Sequence, residues 1–149
     1  MSLQDSAYVD VNPVIVPSAD QIILAKRVAD IVEGGKWHLP GGRVLFGEPF
    51  RTTLKRIAFN KTNLKIELSS PSLKDSLVGI YDDPNRDPRE HVIGLAFLCT
   101  IVGGTAKPRG KVSQVRSFFE SDIKDLEIAF DHRKMIEDAF AIQSRTPTK

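Results

Sequence analysis

The side chains best suited to chemistry in this chain lie in its middle third, and most of them are basic. Residues 26–65 carry nine lysines and arginines against three acids, a net charge of +6, although the whole chain carries only +2. Arg27, Arg43 and Lys61 are spread across this segment. Basic clustering of this kind suits a phosphate-bearing anion, and we predict that the middle of the chain faces one. The alternative is a solvated basic helix face without a ligand.

Carboxylates that could hold a metal ion or accept a proton are fewer. Glu48 is the single acid between residues 37 and 64, and a second acidic cluster lies within residues 82–90. Because aspartate and asparagine also favour turns for backbone reasons, that cluster is either turn chemistry or a relocated metal site. His38 precedes a Pro-Gly-Gly turn, and a lone histidine makes no metal site. We therefore favour packing or a local hydrogen bond for His38 over metal ligation.

The composition is that of one globular domain. The chain has 149 residues, of which 41% are hydrophobic, and this is enough to bury a core without disulfides. Its single cysteine, Cys99, lies in an apolar run and is predicted to be a small buried hydrophobe. The N-terminal residues lack a signal-peptide pattern, and no apolar stretch approaches the ~20 residues of a membrane helix. We expect a soluble, cytoplasmic domain over residues 1–149, with loose tails at about 1–6 and 145–149.

A turn and a helix must position the side chains that could take part in binding or catalysis. Pro40-Gly41-Gly42 allows a tight turn and close approach of a ligand to the backbone. Downstream, Phe50, Leu54, Ile57 and Ala58 recur at helical spacing, which predicts an amphipathic helix over about residues 48–62 that ends near residue 63.

The rest of the chain reads as strands and a terminal helix. Tyr8–Val16 and Gln21–Lys26, separated by a turn-forming cluster, are predicted to pair with each other. Further strands are predicted over Arg43–Phe46, Leu64–Leu68, Ser76–Tyr81, His91–Val102 and Val115–Phe119. A short helix is predicted from Ser121 and a C-terminal helix over about 128–143. Mixed strands with one mid-chain and one terminal helix predict an α/β fold, an α/β/α sandwich with a mixed sheet.

The residues around the predicted helix resemble the signature of the Nudix hydrolase superfamily. That signature is Gly, five residues, Glu, seven residues, then Arg-Glu, an aliphatic residue, any residue, Glu-Glu, any residue, Gly and an aliphatic residue. Gly42, Glu48 and Arg56 fit its first three fixed positions without a gap, and Ala58 and Leu64 fit its two aliphatic positions. The resemblance implies a Nudix-type fold, Mg²⁺ or Mn²⁺ as cofactor, a nucleoside diphosphate derivative as substrate and a homodimer.

Two segments outside this signature extend the resemblance. Trp37-His38-Leu39-Pro40-Gly41-Gly42-Arg43, with Lys26-Arg27 upstream, is similar to GDP-mannose mannosyl hydrolase. The loop at residues 83–89 resembles a segment of ADP-ribose-pyrophosphatase-like members. Both similarities imply a nucleotide sugar or related nucleotide as the ligand.

The departures from the signature concern the glutamates that bind metal in the family. Ile57, Asn60 and Lys61 stand where the family has those glutamates, and Asn63 replaces the glycine. None of the three is a carboxylate ligand, whereas Mg²⁺ and Mn²⁺ sites usually need at least one or two carboxylates. Lys61 would instead place a positive charge where the family holds a cation, or it would be a plain solvated helix residue.

Two functions remain open from the sequence. The first is binding of a nucleoside diphosphate derivative or nucleotide sugar with little or no conventional metal-dependent hydrolysis; an RNA or protein partner is not excluded. The alternative is an active Nudix hydrolase with substituted or relocated ligands. The candidate phosphate- or substrate-binding residues are Arg27, Gly41, Gly42, Arg43 and Lys61. The candidate catalytic residues are Glu48 and Arg56, and any metal ion would lie at Gly41 and Glu48.

Overall fold

A computed structural model of the protein describes residues 6–145, so the predicted loose tails fall almost entirely outside the described residues. Eight strands and four helices follow one another within these residues. They are β1 (Tyr8–Ile15), β2 (Gln21–Arg27), β3 (Trp37–His38), β4 (Gly42–Arg43), α1 (Phe50–Thr62), β5 (Leu64–Leu68), α2 (Leu73–Ser76), β6 (Leu77–Tyr81), β7 (Val92–Gly104), β8 (Val112–Phe119), α3 (Glu120–Ile123) and α4 (His132–Arg145).

The strands form two sheets, and the longest strand, β7, organises the larger one. Strand β1 runs parallel to β7 on one edge, while β5 and β6 pair antiparallel with successive parts of its other edge. Strand β4 extends this mixed sheet beyond β1. The smaller sheet has the order β3-β2-β8 and is antiparallel. The prediction that the first two strands pair was wrong, because β1 joins β7 whereas β2 joins β3 and β8.

The two long helices cover opposite faces of the strands. Strand side chains alternate between faces, and one core cluster packs β1, β5 and β7 residues against Leu54, Ile57 and Ala58 of α1. The other packs β2 and β8 residues against Met135 and Ile136 of α4. The predicted α/β/α layering is therefore confirmed, and Cys99 is buried as expected.

Helix α1 follows its predicted bounds closely and has a fixed end. Asn63 caps it in the left-handed conformation, with φ 62°, and its N–H donates to the Phe59 carbonyl. The loop after β7 then caps the last carbonyls, because the N–H groups of Lys107 and Arg109 donate to the carbonyls of Thr62 and Lys61 at 3.0 and 3.1 Å. These bonds hold Lys61 in one place at the end of the helix.

Other boundaries differ from the sequence-based predictions. Helix α4 begins at His132 rather than near 128, and the strand predicted from Arg43 to Phe46 ends at Arg43. Helix α2 was not predicted; Ser72 caps its N-terminus by accepting from the Asp75 N–H. Within residues 6–145, every helix falls short of the length and apolar character that a bilayer-spanning segment requires.

Replacing Asn63 should destabilise the end of α1. Asn63→Ala forces an alanine into the left-handed region, which costs roughly 1–2 kcal/mol, and it removes the bond from Asn63 Nδ2 to the Thr105 carbonyl. Asn63→Gly keeps the backbone conformation accessible and should lose less. Urea unfolding measures both, and an Asn63→Ala protein as stable as the wild type would contradict this account.

Candidate functional site

One polar pocket of about 580 Å³ opens between β1, β2, the turn before β4, the end of α1 and the loops that precede β7 and α4. Six basic side chains line it: Arg27, Arg43, Lys61, Arg86, Arg89 and Lys111. Three carboxylates line it as well: Asp10, Asp87 and Glu90. The charged side chains of the pocket thus carry a net positive charge. Its size is within the range of small-molecule sites, about 300–1,000 Å³.

Arg27 projects from β2 and is almost fully buried. Its Nε donates to the Val32 carbonyl at 2.8 Å, which fixes the guanidinium. The Arg27 and Arg89 guanidinium carbons lie 5.0 and 5.2 Å from the centre of the Phe130 ring. Phe130 itself has φ 54°, an uncommon conformation for a bulky residue, and its N–H donates to Glu33. The structure therefore presents a pair of arginines on an aromatic ring at the pocket wall.

Arg43 follows the glycine turn and is held from several sides. Its guanidinium lies 3.5 Å from the centre of the Tyr8 ring, and its Nη2 donates to Glu90. The Arg43 Nε is 4.0 Å from Asp10 Oδ1, too far for a hydrogen bond. A bound anion would compete with Glu90 for this arginine.

The two glycines before Arg43 are needed for close packing beside the pocket. A Cβ on Gly41 would lie 2.1 Å from the amide nitrogen of Asn12, which itself donates to the Pro40 carbonyl. A Cβ on Gly42 would lie 3.2 Å from Ile57. Both glycines line the pocket, so the sequence-predicted group of Arg27, Gly41, Gly42, Arg43 and Lys61 is brought together.

Lys61 and Lys111 differ from the arginines of the pocket, because neither ammonium forms a hydrogen bond or ion pair among residues 6–145. Lys111 is exposed, whereas Lys61 is partly buried. Burial, reinforced by the positive charge of Arg27, lowers the pKa of Lys61 to about 8, and Asp10 opposes this only in part. Arg89 and Lys111 lower it further. Lys61 is thus a desolvated amine in a field of like charges, and an anionic ligand would relieve that repulsion.

Two histidines of opposite tautomer line the inner wall of the pocket. His38 and His132 stack with ring centres 6.0 Å apart. The Nδ1 of His38 lies 2.8 Å from the Ala25 carbonyl and must donate to it, which leaves its Nε2 as an acceptor. The Nδ1 of His132 accepts from the Leu39 N–H, which places the proton on its Nε2. Burial lowers the pKa of His38 well below its usual value and that of His132 to about 3, so both are neutral.

The donor set does not fit Mg²⁺ or Mn²⁺. In the described part of the chain, no three His, Cys, Asp or Glu side chains come together as a metal site. Asp87 is paired with Arg89, and Glu90 with Arg43. A divalent cation would also meet the net positive charge of a pocket lined by six basic and three acidic side chains. The acidic cluster at 82–90 therefore does not form a relocated metal site.

Glu48 and Arg56 lie outside the pocket and brace the loop before α1. Arg56 donates to both carboxylate oxygens of Glu48, at 2.8 and 2.9 Å, and to the Arg43 carbonyl at 2.9 Å. Glu48 also accepts from the Leu45 N–H and the Thr53 hydroxyl, both at 3.0 Å. Both Glu48 oxygens therefore already accept hydrogen bonds. The Glu48–Arg56 pair affects the pocket only by holding the backbone of Arg43 in place. A catalytic or metal-binding role for either residue stays a prediction.

Sequence reasoning missed several pocket residues. Arg86 and Arg89 belong to the loop whose family resemblance was noted, yet they received no role. Arg86 is nearly buried and forms a fork with Asp131 at 2.7 and 2.8 Å. Asp10 carried a usable signal, because it alternates with Asn12 inside an apolar strand and both therefore face the same side. Their common side is the pocket.

Comparison with known proteins gives one consistent family. The model of the NUDIX domain matches residues 9–139. A curated relative, the ADP-ribose pyrophosphatase of Methanocaldococcus jannaschii, is 37% identical over 125 residues, which span 83% of this chain and 68% of the relative.

Two solved structures share the fold. The Nudix domain of Shewanella oneidensis NrtR, complexed with ADP ribose, has a TM-score of 0.75 at 21% identity over 93% of this chain and 89% of its own. A bifunctional NMN adenylyltransferase/ADP ribose pyrophosphatase from Francisella tularensis, complexed with AMP and Mn ion, also reaches 0.75 at 21% identity. The match covers 95% of this chain but only 43% of that enzyme. At this identity, the structures show the fold alone.

Glu48→Gln should destabilise the protein through the brace with Arg56. The bonds from Arg56 lower the pKa of Glu48 from 4.5 to about 2, so the carboxylate stabilises the fold fully above pH 4.5. That contribution is lost as the pH falls toward 2. The melting temperature of Glu48→Gln should therefore be lower than that of the wild type at pH 7, and the gap should narrow on acidification. A constant gap from pH 7 to pH 3 would contradict the brace.

Proposed function

The chain belongs to the Nudix family, and from this premise we propose that its basic pocket binds a nucleoside diphosphate derivative, such as a nucleotide sugar, without a divalent metal ion. The observation that carries the proposal is Lys61, an unpaired ammonium in the pocket at a position where the family signature has a glutamate. A fixed cation there would neutralise a diphosphate directly.

Other side chains of the pocket would bind different parts of the ligand. Arg27 donates only its Nε to the protein and keeps both Nη groups for phosphate oxygens, while Arg89 keeps its Nη1 beside its fork with Asp87. Arg43 would exchange Glu90 for the ligand. The neutral His132 adds an Nε2–H donor, and the neutral His38 adds an acceptor for a ligand hydroxyl. This inventory suits a ligand that carries both phosphate and hydroxyl groups.

Adenosine diphosphate ribose is the first ligand to test. The Methanocaldococcus relative is an ADP-ribose pyrophosphatase, and the Shewanella domain was complexed with ADP ribose. GDP-mannose is the second, because of the resemblance around Trp37 and Arg43. Hydrolysis of the bound diphosphate is a second candidate function, and the activity named for the Methanocaldococcus relative favours it.

Titration calorimetry with ADP-ribose and GDP-mannose, each in EDTA and in Mg²⁺, tests the proposal. We expect binding in EDTA, with affinity changed little by Mg²⁺. Lys61→Met should weaken it by about 10- to 100-fold, since it removes one charge-assisted hydrogen bond worth about 1.5–3 kcal/mol. Lys55→Met is the matched control, because Lys55 is exposed on the same helix and outside the pocket. Binding that vanishes in EDTA would contradict the proposal.

The affinity should also depend on pH through Lys61. A bound diphosphate favours the ammonium and raises its pKa above the value of about 8 in the free protein. Affinity should therefore be constant below about pH 8 and fall above it, with proton uptake on binding. Calorimetry in two buffers of different ionisation enthalpy at pH 8.5 measures that uptake. Lys61→Arg should abolish the uptake; equal uptake by this variant would rule out Lys61 as its source.

A further inference from the structure

Asp10 is the carboxylate of the pocket that forms no hydrogen bond in the described part of the chain. Its Oδ1 is buried against the Arg43 Nε, 4.0 Å away in a loose ion pair, and neither atom has a hydrogen-bond partner. By contrast, Asp87 accepts from Arg89, and Glu90 accepts from Arg43. The Asp10 side chain is 27% exposed and lines the pocket, so its other oxygen, Oδ2, is the one that remains available to a molecule there.

The strand fixes Asp10 firmly in this position. Its neighbours Val9 and Val11 turn to the other side of β1, and Val11 is fully buried in the core. Strand β1 is held on both edges, by β7 and by β4, with Asp10 opposite Gly94 and Arg43. Asp10 therefore cannot withdraw from the pocket without breaking the central sheet.

The surroundings of Asp10 make it a stronger base than a free aspartate. Burial raises its pKa, the positive charges of Arg43 and Arg86 oppose this, and the negative charges of Asp87 and Glu90 add to it. Lys61, from the end of α1, faces the same space and its charge interacts with Asp10. Proton transfer improves as the pKa of the base approaches the working pH.

We propose that Asp10 is the general base of a metal-independent hydrolysis of the diphosphate that the pocket binds. The inference rests on the proposed function, since it needs the diphosphate in place. A water oxygen forms the new bond to one phosphorus while Asp10 takes one of its protons. The bond from that phosphorus to the bridging oxygen breaks, and its electron pair leaves with the second phosphate. Asp10 then releases its proton to solvent, so the net reaction consumes one water.

The cations supply what the base alone cannot. Charge develops on the phosphoryl oxygens and on the leaving phosphate, and fixed positive groups in a partly desolvated pocket stabilise it. Arg27, Arg43 and Lys61 face that charge. His38 is the competing base, because its Nε2 is also an unpaired acceptor. Its ring is 3% exposed and its pKa is lowered rather than raised, so it is the weaker candidate.

The experiment measures ADP-ribose cleavage by the full chain in EDTA and in H₂¹⁸O. We expect slow turnover, with one ¹⁸O in a single phosphate product. Asp10→Asn should reduce turnover about 100- to 10,000-fold, the range of general base catalysis. Its affinity for ADP-ribose should stay equal or increase, because the pocket loses a negative charge. A purely structural role would weaken binding and turnover together.

Two further variants and a pH profile distinguish Asp10 from other acidic residues and from the competing base. Asp82→Asn is the matched control, because Asp82 is exposed and does not line the pocket. His38→Gln tests the competing base. For the wild type, kcat/KM should fall on the acid side as Asp10 is protonated and on the alkaline side above about pH 8 as Lys61 loses its proton. The acid limb should be missing from the residual activity of Asp10→Asn.

The outcomes separate this inference from the proposed function. If ADP-ribose binds in EDTA but is not cleaved, Asp10 is not a catalytic base and the binding function stands. Unchanged turnover in Asp10→Asn, or its loss in His38→Gln alone, also overturns the assignment. If ADP-ribose and GDP-mannose both fail to bind, the proposed function fails and this inference fails with it.

Discussion

An excess of positive charge in a confined pocket is the constraint on which the rest of the site depends. Three of its six cations are paired with carboxylates: Arg86 with Asp131, Arg89 with Asp87 and Arg43 with Glu90. Each pair lowers the cost of placing a guanidinium away from water. Lys61 and Lys111 have no such partner in the described part of the chain, and burial together with the charge of Arg27 lowers the pKa of Lys61. An anion in such a pocket would offset its excess of positive charge.

The three replaced glutamate positions have three different structural outcomes. Ile57 is 2% exposed and belongs to the core between α1 and the larger sheet. Its side chain fills the space that a Cβ on Gly42 would need. Asn60 is exposed on the helix surface and does not line the pocket. Only Lys61 faces the pocket. The loss of carboxylates is therefore not uniform: one position now serves packing, one faces solvent, and one reverses the charge of the site.

Elements that depend on local sequence pattern, such as α1, could be predicted from the sequence. Contacts between segments that are distant along the chain, such as the pairing of β1 with β7, could not. The period of Phe50, Leu54 and Ile57 was sufficient for α1, because an amphipathic helix buries one stripe. The pairing of β1 with β7 could not be predicted in this way, since the two strands are far apart along the chain and adjacent strands pair by default. The high charge of residues 26–65 was informative only in part. Arg27, Arg43 and Lys61 from that segment line the pocket, while its other bases do not.

Apart from the resemblance noted for the loop at residues 83–89, candidate site residues outside the segment had no local signature. Lys111 and Arg86 enter the pocket because a loop after β7 caps α1 and a loop before β7 pairs with α4. Those contacts are tertiary and leave no spacing in the sequence. Asp10 is the exception, because a charged residue within a buried strand is costly unless it faces a polar space. That argument needs only the strand prediction, which was correct for β1.

Whether this pocket favours binding or hydrolysis depends on whether its charged groups stabilise the bound substrate or only the transition state. Arg27, Arg89 and Lys61 would meet the diphosphate before reaction as well as during it, and only the part of that interaction that strengthens as charge develops would accelerate the chemical step. The same cations would hold the phosphate products and slow their release. A group that acts only in the transition state would supply the rest of the acceleration, and Asp10 is the carboxylate among the pocket residues whose oxygens are not already hydrogen-bonded. Such a site would bind tightly and turn over slowly, which places it between a binding module and a fast hydrolase.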